Sequence, residues 1–172
     1  MQQLVPGGNV SAMNDLQRGD VVWVKFPEAN AATGNALISG WHMAAVVNLE
    51  REVALVVPIS SLHRKDGTQK KLSDTDLAMT KADHPFLKHD SFLKGHQLRA
   101  ASYSWMNIQH GRVKVAGRLH HNLDKPFAHM LIKALHLESF VKELVQEAKK
   151  APLHTSHAPS QDEVHKTRNL RR

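Results

Sequence analysis

The chain contains no cysteine in its 172 residues. Disulfides, thiolate nucleophiles and cysteine-based zinc sites are therefore excluded, and a cytoplasmic protein is the expectation. No apolar run approaches the ~18–20 residues needed to cross a bilayer, so no membrane partner is expected. The start, Met1-Gln2-Gln3-Leu4-Val5-Pro6, lacks the basic and apolar regions of a signal peptide. There is no P-loop, no Gly-x-Gly-x-x-Gly and no Gly-x-Ser-x-Gly elbow, which argues against nucleotide hydrolysis and serine-hydrolase chemistry. No internal repeat is visible.

What the chain does have is positive charge. Its net charge of +7 and pI near 9.8 favour a polyanionic partner. The charge is unevenly spread. Lys149 to Arg172 carries six basic and two acidic residues, or +4, which leaves +3 on the rest. A basic tail of this kind confers solubility or non-specific contact more often than a specific site.

Hydrophobic residues make up 41% of the chain, enough for one domain with a core. Residues 1–17 are polar and rich in turn formers, which suggests a loose lead-in. Asp20–Phe26 reads as a strand launched by the Gly19-Asp20 turn. Pro27–Gly40 has no period and reads as a mobile loop. Trp41–Asn48 and Val53–Pro58 form two further apolar runs joined by Leu49–Glu52, in the manner of a hairpin. Leu62–Lys71 is a loop of Lys, Arg and Gly. Leu77–Met79 and Ser91–Lys94 are short strands around the Asp83-His84-Pro85 turn, Trp105–Ile108 is a helical turn, and Val113–Gly117 is a last strand. One amphipathic helix follows. Asp124 is its N-cap, Pro126 lies in its first turn, and Phe127, Met130, Leu131, Ala134, Leu137, Val141, Leu144 and Val145 recur at helical spacing to Ala148. The expected architecture is a mainly β domain over residues 18–148 with one C-terminal helix, followed by a basic disordered tail at 149–172.

Three segments carry a family resemblance. Arg18-Gly19-Asp20-Val21-Val22-Trp23-Val24 is similar to the first strand of the PemK/MazF toxins. Val57-Pro58-Ile59-Ser60-Ser61 resembles their Pro-(Ile/Leu)-Thr-Ser strand end. Asp90-Ser91 and Gln97-Leu98-Arg99 resemble their later Asp-Gln-(hydrophobic)-Arg stretch. The resemblance spans roughly Arg18 to Ala148. It implies an SH3-like small barrel of the PemK/MazF type that acts as a homodimeric endoribonuclease toxin on single-stranded RNA. It also implies inhibition by a cognate antitoxin, no cofactor, and products ending in a 2′,3′-cyclic phosphate and a 5′-hydroxyl. At the family's site positions this chain differs. His42 matches an Arg, with Met43 where a Pro is usual; Ser60 matches a Thr; His96 matches an Asp; and Lys94 falls where some members carry a second Arg.

The residue types suit the chemistry on their own terms. RNA cleavage without a metal needs a base for the ribose 2′-OH, an acid for the departing 5′-oxygen and cations on the phosphate. Histidines can serve as base and acid near neutral pH, and Lys or Arg stabilises the charge of the transition state. The candidate catalytic residues are His42, Ser60, His96 and Arg99. Lys25, Ser61, Arg64 and Lys94 are candidate RNA contacts.

Each has a plainer reading: a strand histidine, a loop histidine, a turn-forming serine, surface cations. The substitutions fit a re-equipped ribonuclease or a lost one. A non-catalytic barrel that binds nucleic acid or protein, and a toxin of the same fold with another target such as a topoisomerase, are the rival readings. Thirteen histidines raise the question of metal, but His120-His121 diverge, His84 and His89 flank a Pro, and His129 and His136 lie seven apart. No metal site is expected.

Overall fold

The structure, a computed structural model, describes residues 15–28, 38–51 and 53–150. Residues 1–14, most of the Pro27–Gly40 loop and tail residues 151–172 lie outside the described residues. Nine strands and two α-helices are present among the described residues: β1 Asp20–Phe26, β2 Gly40–Glu50, β3 Val53–Ser61, β4 Asp76–Met79, β5 Ser91–Lys94, β6 Arg99–Ser102, β7 Ile108–Gln109, β8 Arg112–Val113, β9 Val115–Arg118, α1 Asp124–Ala134 and α2 Glu138–Lys150. The chain divides into a compact unit ending at Leu137 and a second beginning at Glu138. The fold is thus mainly antiparallel β with helix near the C-terminus.

The Gly-Asp start works as its sequence suggests. Gly19, at φ +88°, turns the chain, and its N–H donates to Val46 O at 2.8 Å. Asp20 is buried and ties the corner together. Its carboxylate accepts from Gln17 N at 2.8 Å and from Arg118 Nη1 at 3.1 Å. Leu16, expected in a loose lead-in, is instead buried in the core.

Strand alternation then sends side chains to two faces. On one, Val22, Val24, Phe26, Ala44, Val46, Ala54, Val56 and Ala101 form a core closed by Leu16, Ile38, Met106 and Val113. On the other, Val21, Ala45, Val57, Ile59 and Leu93 pack under Phe127, Met130 and Leu131 of α1. The strand order is β4-β5-β3-β2-β1-β9, with β6 also on β3. A single antiparallel bridge, Val24 to Met106, brings the chain after β6 back to β1.

β3 holds the arrangement together. Its far edge pairs with β6 over Val53–Val56 and with β5 over Ile59–Ser61. The change of partner spans Pro58, which has no N–H to give a ladder. The strand does not end on Pro58, as the sequence suggests, but runs through it to Ser61. Its pairing with β2 stops at Ala44–Pro58. β2 is therefore open on that side at Trp41–Met43, while β1 still pairs it on the other.

Further expectations need correction, among them the Trp105–Ile108 helical turn, which is a 3-10 turn at Tyr103–Trp105 with Ile108 already in β7. The single helix Asp124–Ala148 is two helices. His136 N–H donates to Lys133 O at 3.0 Å and Leu137 N–H to Ile132 O at 2.9 Å, with His136 at φ +53°. This is a Schellman ending with His in the left-handed position that Gly usually takes. Asp124 does not cap. It is the first helical residue, after Leu123, and there its charge still suits the helix dipole. The Val113–Gly117 strand is split into β8, which forms a hairpin with β7 across His110-Gly111, and β9, which pairs with β1. Lys149 and Lys150 end α2 rather than beginning a disordered tail.

Gly95 shows how tightly α1 supports this end of the sheet. Its N–H donates to Thr75 O at 3.0 Å, and a Cβ there would collide with that carbonyl and press on Met130 of α1. Gly95→Ala should therefore lower stability by about 1–3 kcal/mol, as overpacking does. A denaturant melt checks this, and a loss within experimental scatter would show that the approach is not tight.

Candidate functional site

The change of partner at Pro58 sends the end of β3 onto β5, so that Ser60 lies opposite Phe92. The Leu62–Lys71 segment is an excursion that folds back on itself. His63 bridges Gln69, and Lys70 N–H donates to Leu62 O at 2.8 Å. Lys70 therefore returns beside the strand it left. Its Nζ donates to Ser60 Oγ at 3.2 Å and lies 5.8 Å from the centre of the Phe92 ring. Sequence reasoning missed Lys70, whose only signal was the basic run at the end of that loop.

Two residues beyond Phe92 on the same face is Lys94, directly opposite Asp76 of β4. The Lys94 ammonium is held below the ordinary lysine value. Burial is the chief cause, the Asp76 carboxylate opposes it, and the positive charges of Lys70 and Arg99 push further down. Those influences place Lys70, Arg99 and Asp76 each within electrostatic reach of Lys94. Burial likewise lowers Arg99.

Arg99 begins β6, on the inward face with Ala101. Its guanidinium lies 5.0 Å from the centre of the Phe26 ring, and Nη1 donates to Ile38 O at 3.3 Å. Ile38 N–H donates to Gln97 Oε1 at 3.0 Å. Gln97 and Arg99, singled out by the resemblance, thus hold both backbone groups of Ile38 where the chain enters β2.

His96 is exposed on the short 3-10 turn Gly95–Gln97. Its Nδ1 stands 3.4 Å from Asp76 Oδ1. That oxygen is buried and accepts no hydrogen bond among the described residues, while Oδ2 accepts from Ser73 N at 2.9 Å. The contact with His96 is an approach between ionisable groups rather than an aligned hydrogen bond. Where sequence comparison found a histidine in place of an Asp, the structure supplies a carboxylate from β4. Asp76 was the second residue missed, because nothing local links β4 to the turn after β5.

His42 pairs with Val24 and alternates with Ala44, which puts it on the inward face, half-buried. It and Ser60 each lie two residues beyond the last β2–β3 pair, at the same end of the sheet. The other candidates are not brought in. Lys25 is directly opposite Trp41, on the outer face. Ser61 Oγ closes a local turn with His63, accepting from its N–H at 3.2 Å and donating to its carbonyl at 2.9 Å. Arg64 is exposed at the root of the tight loop to Thr68.

Among the described residues no three His, Cys, Asp or Glu group as metal ligands. His84, one of the histidines weighed for metal, is buried, with Nδ1 3.0 Å from Thr80 O and Nε2 accepting from His120 N–H at 3.1 Å.

No protein-family model and no curated protein matches the chain. Among the solved structures similar to it are two mycobacterial ones. One is an endoribonuclease in complex with its cognate antitoxin from a mycobacterial species, at 13% identity and TM-score 0.49, covering 70% of this chain and 94% of that one. The other is the Mycobacterium tuberculosis toxin MazF-mt6, at 10% identity and TM-score 0.48, covering 68% and 96%.

The electrostatics of Lys94 can be tested directly. Its folded pKa lies below the unfolded one, so the folded chain binds fewer protons between that pKa and 10.5. Stability should rise with pH across this interval. A side-chain NMR titration should put Lys94 below 10.5, and a bound polyanion should raise it. A midpoint at or above 10.5 without ligand would contradict the clustering.

Proposed function

We propose that this chain is a PemK/MazF-like toxin of a toxin–antitoxin pair, a metal-independent endoribonuclease for single-stranded RNA that works as a homodimer. The observation that carries the reading is the bond from Lys70 to Ser60 together with Lys94, whose charge feels Lys70, Arg99 and Asp76, and with His96 beside the buried Asp76 carboxylate. The sequence resemblance at Val57–Ser61 and Gln97–Arg99 supports it independently.

The three cations and the Ser60 hydroxyl seat one phosphate. Lys70, already bonded to Ser60, orients that hydroxyl toward it. The ribose 2′-oxygen attacks phosphorus while a histidine takes its proton. The P–O5′ bond breaks, and the leaving oxygen takes a proton from a second acid, giving a 2′,3′-cyclic phosphate and a 5′-hydroxyl. His96 is the better-supported partner, since its Nδ1 stands 3.4 Å from the Asp76 carboxylate; His42 is the other candidate. An antitoxin with an acidic segment would oppose the same cations. A specific observation favours the rival binding module: Arg99 is already engaged with Ile38 and Phe26, as a structural arginine would be.

Incubating a mixed-sequence RNA with the purified protein in EDTA separates the two readings. Cleavage with cyclic-phosphate ends is expected. His96→Ala should slow it roughly 10²–10⁴-fold, and Lys70→Ala on the order of 10²–10³-fold. Asp76→Asn should cost less than either, because it removes only the carboxylate beside His96. No cleavage of any RNA, with intact binding, would hand the site to the binding module.

A further inference from the structure

On the opposite face of the sheet, a shallow cavity of about 320 Å³ is lined by Trp23, Trp41, Asn107 and Lys114. We propose that it is a second nucleic-acid subsite, in which a base of single-stranded RNA stacks on the tryptophans. The identity of the ligand rests on the RNA reading above; the pocket itself does not.

The register builds the pocket. Trp23 pairs with Met43 and Lys25 with Trp41, so Trp23 and Trp41 are diagonal neighbours on one face, within reach of each other's rings. Asn107 N–H donates to Trp23 O at 3.0 Å and Lys114 N–H to Asn107 O at 2.8 Å, which fixes the third and fourth walls to the first. Trp41 is 52% exposed, an unusual position for the largest apolar side chain. Among the described residues no acidic one lines the cavity; Lys114 belongs to it and the exposed Lys25 lies directly opposite Trp41.

Flat aromatic walls, an amide that can donate and accept, and two flanking cations are what a base and its phosphates need. A second copy of this chain fits less well, because the same lysines would face each other in a protein of net charge +7.

The position is also apt. His42 and Trp41 are consecutive residues that face opposite sides of β2, and β2 has no β3 partner there. An RNA strand leaving the Ser60 site can cross this open edge and place a neighbouring base on Trp41. Lys25, proposed from sequence as an RNA contact, then acts here rather than beside Ser60.

The test uses the full chain and a 2′-O-methyl oligouridine, which cannot be cleaved, with an abasic oligomer of the same length as control. Binding is followed by tryptophan fluorescence and by anisotropy of a labelled strand. Because the strand is inert, a protein without ribonuclease activity still tests the pocket. Oligouridine should quench the wild type. Trp41→Ala should weaken its binding roughly tenfold or more, while Trp41→Phe keeps most of it and the abasic strand binds both alike. Lys114→Ala should lower the salt slope by about 0.7. The proposal is overturned if Trp41→Ala, folded by circular dichroism, binds oligouridine within twofold of wild type. It is equally overturned if that variant turns a dimer into a monomer with affinity unchanged, which would give the face to a second copy.

Discussion

β3 changes partner across a proline, and most of what is particular to this protein follows from that. A central strand needs hydrogen-bond partners on both edges. At Pro58 one donor is missing, and there the strand stops following β6 and takes up β5. The consequence is geometric. β3 leaves β2 at the same point, opening the sheet at one end, and the residues just past the break stand at the opening: Ser60 on β3 and His42 on β2. Because β5 now pairs with the departing end, Lys94 and the His96 turn are carried to the same place, and β4 brings Asp76 against them. The site lies where the regular ladder fails, and α1 supports it from the other face through Met130 and Gly95.

The cost of gathering three cations is visible in the site itself. Burial and mutual repulsion disfavour the charged form of Lys94, and one buried carboxylate offsets only part of this. A bound phosphate would relieve the repulsion. Asp76 Oδ1 is buried, accepts no hydrogen bond among the described residues and lies 3.4 Å from His96 Nδ1.

Much of the β framework was legible because its signals are local. Alternation over Val21–Phe26 and the Gly19-Asp20 corner specify β1, and the β2–β3 pair follows from two apolar runs and a short joint. β6 was not legible: Arg99-Ala100-Ala101-Ser102 has no β-branched residue, and only its long-range pairing with Val53–Val56 makes it a strand. The helix break was hidden because His136 takes a left-handed cap where Gly would have announced it, and the apolar spacing runs on past the break. Of the candidate site residues, Ser60, Lys94, His96 and Arg99 were proposed through their likeness to known motifs. Lys70 and Asp76 were not, since their roles depend on a folded-back loop and on a strand pairing that no local pattern encodes. For Lys25 the charge shows in the sequence, but the face it points from depends on register.

The central claim is that Ser60, Lys70, Lys94, His96 and Arg99 form one phosphate-binding site at the open end of the sheet. Its most direct test is NMR chemical-shift mapping of the full chain with a non-cleavable single-stranded RNA. The account predicts shifts concentrated on those five residues and Asp76, with the Lys94 side chain moving most as its ammonium gains a counter-charge. Shifts confined to the Arg64–Thr68 loop or to α2, with Ser60, Lys70 and Lys94 unmoved, would contradict it.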